Sequence, residues 1–168
     1  MLLLILCQWL ESTRPAAALR SSVWMFDILE TIHTLGIVLV AGTIMLVDLR
    51  LLGLGLKRVP VSHVVSRIVP WTLGGFCLMA LTGCSLFSAE AVKLYNSPAF
   101  RMKLVFLSLA GLNALIFHRT IYRQATAWDS APVAPVRARM AGLFSLILWI
   151  AIIAAGRAIA YGPGYDRS

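Results

Sequence analysis

Glu30, His33 and Asp48 are set into the apolar stretch ETIHTLGIVLVAGTIMLVDLR, residues 30–50, which ends in Arg50. On a helix of about 3.6 residues per turn, Glu30 and Asp48 stand roughly five turns apart on one azimuth, with His33 near the same line. A polar stripe on an apolar helix belongs against other helices, away from lipid. Glu30 with His33 offers the chemistry of a proton relay or a ligand site opening outward. Arg157, near the far end of the last apolar run, is placed to pair with Glu30, which would remove most of the cost of burying either charge. In that case the same residues form a structural clamp. Asn113, near the middle of the third apolar run, also needs a partner inside a bundle.

The other histidines are His63 and His118. In an up-down bundle His33 lies about 10 Å below the outer end of its span and His118 about 27 Å below that of its own, at roughly 1.5 Å per residue. Those two cannot share one iron. His63 enters the second span from the level where His118 ends the third, so they are the pair that geometry allows for a haem; otherwise each simply hydrogen-bonds at a helix end. Asp48 with Arg50 or Arg119 reads as a clamp at the cytoplasmic end. Cys77 and Cys84 are about 10 Å apart in rise, too far to bridge, and with Cys7 they read as small packing residues. No GxSxG elbow, P-loop, HExxH or Rossmann fingerprint is present, which gives hydrolytic catalysis no support.

Four apolar runs must position these groups, at about 24–49, 71–89, 100–122 and 136–161, each near the ~20 residues a span needs. The chain has 168 residues, 60% hydrophobic and 13% charged, with a mean hydropathy of +0.84. Soluble domains carry about 25% charged residues, so the composition is that of a membrane protein. The expected fold is all-α, a four-helix transmembrane bundle in residues 23–162, followed by a tail from 163 to 168. Residues 1–22 read as an interfacial amphipathic helix, with Leu3, Leu6 and Leu10 inward and Trp9 at the headgroups. They lack the basic n-region of a signal peptide, although Ala16 to Ala18 could mimic a cleavage site. Pro60 opens a second interfacial stretch that ends at Pro70, and span two begins at Trp71. Ala80, Cys84 and Ser88 recur every four residues along that span, a stripe that permits close helix contact. Gly162-Pro163-Gly164 ends the last span.

The formal charge of +8 does not indicate nucleic acid, because the basic residues cluster at the ends of apolar runs. Arg50, Lys57, Arg58 and Arg67 surround the first loop, and Arg119, Arg123, Arg137 and Arg139 the third. The opposite side carries Glu11, Asp27, Glu30 and Glu90 against Lys93, Arg101 and Lys103. Both termini are therefore expected to face the periplasm and the two basic loops the cytoplasm.

The motifs ExxH at Glu30 and His33, Gly42, DLRLLG from Asp48, FRMKL from Phe100, LNALIFHR from Leu112 and GRAIAY from Gly156 look like an uncharacterised bacterial family of small membrane proteins. That resemblance covers nearly the whole chain and implies a four-span inner-membrane protein, without an assigned activity. A looser similarity reaches the copper-resistance D-type membrane proteins and the haem-containing protoporphyrinogen oxidases. It rests on His33, Gly42 and Arg50 in one span, and on Lys103-Leu104 with His118 in a later one. This similarity implies haem b, held by His63 and His118 or by His33 with another partner. Two functions thus compete with a purely structural or lipid-interacting role. One is a non-enzymatic accessory, small-solute or metal-handling component with an outward polar site; the other is a haem-b redox protein or oxidase. The lipid bilayer is the expected partner, with a second membrane protein or another copy of the chain possible.

Overall fold

The computed structural model describes residues 2–131 and 133–161. Gly162-Pro163-Gly164 and the tail lie outside them. The described chain is almost entirely helical: α1 (Leu2–Glu11), α2 (Arg14–Ser21), α3 (Met25–Leu52), α4 (Val61–Ala89), α5 (Ala91–Asn96), α6 (Pro98–Ile116) and α7 (Val136–Tyr161). Beyond α6 the coil continues as a π-turn, Phe117–Ile121, and a 3-10 turn, Tyr122–Ala127. Four segments are long and apolar enough to cross a membrane: Met25–Leu52, Val61–Ala89, Pro98–Ala125 and Val136–Ala160. The chain is built as a multi-pass membrane protein, an all-α bundle of four long helices.

Local chemistry sets the helix ends. Gly53 adopts φ 71°, a left-handed conformation that costs little without a Cβ, and its N–H and that of Leu54 satisfy the last carbonyls of α3. Ser97 caps α6 by accepting from the Phe100 N–H at 3.3 Å, and Pro98 occupies the first turn, where no N–H is needed. Pro70 does not end the helix that it interrupts. The structure runs α4 from Val61 straight through it, so the interfacial stretch expected before Trp71 is the first third of a single helix. Pro70 is exposed, and the helix continues through it on the hydrogen bonds of the flanking turns.

α3 is central: it packs chiefly on α4 and then on α7, while α6 packs on α7 and scarcely touches α4. Gly75 makes the first contact close. A Cβ there would sit 2.9 Å from Val40 Cγ2, so the absent side chain is what lets α4 lie on α3. Val40, Ala110, Leu148, Trp149 and Ile152 form a mid-bundle apolar cluster. A second cluster, with Leu51, Val61, Val65, Phe117 and Ala138, fills the end bearing the α3–α4 and α6–α7 loops.

The opposite end is covered by α1, α2 and α5. The link from Glu90 to Pro98, expected as polar coil, contains the short helix α5, against which α1 packs. Glu11 Oε1 accepts from the Val92 N–H at 2.8 Å, and Arg20 donates to the Ala89 carbonyl at 3.2 Å. Acid thus meets the start of α5 and base the end of α4, the arrangement helix dipoles favour. α1 is short and apolar. Its inward residue is Cys7, whereas Leu3 and Leu6 are exposed, because the packed face is rotated from the one expected.

Candidate functional site

His33 lies eight residues into α3, about 12 Å from the helix start at roughly 1.5 Å per residue. Its ring turns toward α4, where Nδ1 is 2.9 Å from Thr82 Oγ1. The Thr82 hydroxyl has one proton and lies 2.7 Å from the Leu78 carbonyl, so that proton points along its own helix. The hydroxyl oxygen is thereby left to accept from a proton on His33 Nδ1, and the Met79 backbone lies against the same ring. The ring rests on Gly83, where an added Cβ would lie 3.0 Å from His33 Cε1. Lys103 of α6 comes within electrostatic reach of His33, and a Cβ on Gly156 of α7 would be 3.8 Å from its Nζ. His33, Gly83, Lys103 and Gly156 are all half-buried and lie at comparable depth from one end of the bundle. No carboxylate pairs with Lys103 among the described residues.

The other residues proposed from the sequence fall elsewhere. Glu30 is exposed and lines an open groove of about 310 Å³ with Asp27, Thr31, Thr34 and Leu35. It does not share the His33 surroundings, nor is it among the ion pairs with Arg157. Arg157 follows Gly156 at the same end of α7, with its side chain exposed. Asn113 is deeper and donates from Nδ2 to the Ala141 carbonyl at 3.0 Å, tying α6 to α7. His63 is exposed in the first turn of α4, and exposed His118 places Nδ1 2.9 Å from the Ala114 carbonyl of its own helix. The described residues contain no group of three or more His, Cys, Asp or Glu able to hold a metal.

At the loop-bearing end, Asp48 and Arg50 are buried but face different neighbours. Asp48, 4% exposed, lies beside Ser145 of α7 and keeps Oδ2 without a partner. Arg50, 0% exposed, donates from Nε to the Val59 carbonyl at 2.7 Å and from Nη2 to those of Ala131 and Asp129 at 3.0 and 3.3 Å. Its Nη1 has no partner. Asp129 in turn accepts from the Ser62 N–H at 2.7 Å and from the Ser62 hydroxyl, capping α4 from a distant loop. These Ser62 bonds, aided by the nearby Arg50 charge, hold the Asp129 carboxyl below its ordinary range. Arg50 thus gathers both loops, and Arg119 remains exposed outside this network.

Sequence reasoning did not find Thr82, Gly83 or Lys103 as partners of His33. Matching depths across antiparallel spans would have suggested Thr82 and Gly83, since they lie seven and six residues from the end of α4, about 9–10 Å, close to the depth of His33. Lys103 was legible as a basic residue inside the first turns of a span, but was counted with the flanking charges.

No curated protein and no solved structure matches the chain. Residues 23–162 match the model of a family of unknown function, DUF6644, and the chain belongs to that family.

Proposed function

We propose that this is a bacterial inner-membrane protein that handles a small solute without catalysing its conversion, alone or as an accessory to another membrane protein. The observation that carries this reading is an ammonium, Lys103, half-buried within a span, with no carboxylate paired to it among the described residues. Charged groups within membrane spans are costly and belong to pathways or ligand sites. The excess of basic residues around the α3–α4 and α6–α7 loops supports a cytoplasmic position for both, so the His33 site lies in the periplasmic half. The exposed Cys77, Ala80 and Cys84 on α4 leave a face of small residues for a helix of a partner or a second copy.

Accessibility tests this reading. In a background with Cys7, Cys77 and Cys84 replaced by serine, Gly156→Cys should react with a membrane-impermeant maleimide added from the periplasmic side, faster than Ala110→Cys in the apolar cluster. Equal protection of both positions would refute an outward-opening site.

The histidine tautomer favours one second reading. With Nδ1 turned to Thr82, Nε2 is the His33 nitrogen that would hold a haem iron. A b-type haem would supply one-electron chemistry, and His33 would hold its iron. His63 and His118 do not join it, being exposed near the opposite end. A dithionite-reduced-minus-oxidised spectrum decides: a b-type band lost in His33→Ala establishes haem, and a clean spectrum after expression with ample haem removes it.

A further inference from the structure

We infer that the loop-bearing end of the bundle binds the headgroups of anionic phospholipids and holds them in preference to zwitterionic ones. That end lies opposite His33, and its binding is independent of the solute site proposed above. Arg67 of α4, Arg119 and Arg123 beyond α6, and Arg137 and Arg139 of α7 are all exposed. No carboxylate pairs with any of them among the described residues. The acids of this end are Asp48 and Asp129, and both are turned inward. Asp48 is 4% exposed, and Asp129 accepts from the Ser62 N–H at 2.7 Å. The charge balance at the other end differs, because Glu11 lies 3.8 Å from Arg20 and Glu90 2.9 Å from Lys93. The loop-bearing end therefore presents guanidinium groups that the fold itself does not neutralise.

Their placement fits a phospholipid better than a free anion. On α4, exposed Trp71 follows Arg67 by four residues, so the two share one side, with the indole about 6 Å deeper along the helix. On α7, exposed Leu143 follows Arg139 by the same interval, and exposed Leu115 precedes Arg119 by it. Each of these arginines thus stands one turn nearer the loops than an exposed aromatic or aliphatic side chain. A phosphodiester can accept from the guanidinium while its acyl chains cover the side chain beyond, whereas a free anion uses only the first contact. In the cytoplasmic orientation proposed above, this end meets the leaflet whose surface carries anionic lipid.

The test uses the full chain in nanodiscs that mix phosphatidylcholine with phosphatidylglycerol, one of the two carrying brominated acyl chains. Bromine quenches tryptophan on contact, so Trp71 reports the lipid beside Arg67. The difference between the native chain and Trp71→Phe separates its signal from those of the other tryptophans. Brominated phosphatidylglycerol should compete for the Trp71 surface about fivefold better than brominated phosphatidylcholine at low salt, the attraction of one basic residue near an anionic surface. That preference should shrink towards unity in about 1 M salt, where the screening length is about 3 Å. Arg67→Lys should keep most of it, Arg67→Gln should remove it, and Arg101→Gln at the opposite end should leave it unchanged. Equal quenching by the two lipids, or a preference that survives both Arg67→Gln and high salt, overturns the inference. Relief of quenching by inorganic phosphate beyond that of chloride at equal ionic strength assigns the surface to a soluble anion and also overturns it. The lipid and salt dependence of the native chain decide the outcome if Arg67→Gln does not fold.

Discussion

Arg50→Met isolates the worth of the guanidinium that gathers the two loops. The side chain is 0% exposed and donates to three carbonyls, of Val59, Ala131 and Asp129, the first two at 2.7 and 3.0 Å. Hydrogen bonds involving a charged group contribute about 1.5–3 kcal/mol each, so the two short ones together give roughly 3–6 kcal/mol. The third, at 3.3 Å, adds little. Nη1 is already buried without a partner, a desolvation cost of about 1–3 kcal/mol that methionine removes. The net expected loss is about 3 kcal/mol, with methionine retaining most of the packing volume. Reversible unfolding in mixed detergent micelles, followed by circular dichroism, measures it. Arg50→Lys should fall between the two, because a single ammonium cannot reproduce the planar fork. A double-mutant cycle with Asp129→Asn should show coupling of at least about 0.5 kcal/mol, since both groups position the same loop. A loss below about 1 kcal/mol for Arg50→Met, with no coupling, would refute the assignment of Arg50 as the tie between the loops.

Other perturbations follow from the same geometry. Gly83→Val should displace the His33 ring, since even the first added carbon would lie 3.0 Å from Cε1; loss of the slowly exchanging Nδ1–H resonance of His33 reports it, and Gly74→Val, with nothing within 4 Å of its Cβ, is the control. Gly75→Ala should destabilise by about 1–3 kcal/mol through overpacking against Val40, readable in the same micellar unfolding assay. The Asp129 carboxyl is held low by Ser62, so its contribution to stability is complete above the ordinary carboxyl value of about 3.9 and is lost as pH falls through the depressed folded value. Asp129→Asn should therefore lower stability at neutral pH and flatten the acid limb of the stability profile.

The four spans were legible because a run of some twenty apolar residues has few other uses. Pro70 misled for a physical reason: proline ends helices in water, but in an apolar environment the surrounding turns remain the cheapest hydrogen-bonded state for the backbone. His33 was legible as an interior group, yet its grouping with Glu30 was not, because helical azimuth gives relative direction and not which side meets a neighbour. A small-residue surface at Gly75 and Gly83 decides that, turning His33 to α4 and leaving Glu30 exposed. The Arg50 network was the least legible. Its partners Asp129 and Ala131 are 79 and 81 residues away, and backbone carbonyls carry no residue-type signature. Likewise α5 is short, and its first turn is capped by Glu11 from the distant α1.

The apolar cluster around Val40, itself 1% exposed, also has an electrical meaning. It interrupts the polar groups of α3 between His33 and the Thr43–Thr72 pair, whose hydroxyls are 2.9 Å apart. A charge held at the depth of His33 would sit about 12 Å along α3, some two-fifths of a hydrocarbon layer roughly 30 Å thick. At about 2.3 kcal/mol per unit charge per 100 mV, membrane potential would change the energy of a single charge at that depth by roughly 0.9 kcal/mol per 100 mV. Energising the membrane by about 100 mV would thus shift the occupancy of a singly charged ligand at that depth about four- to fivefold.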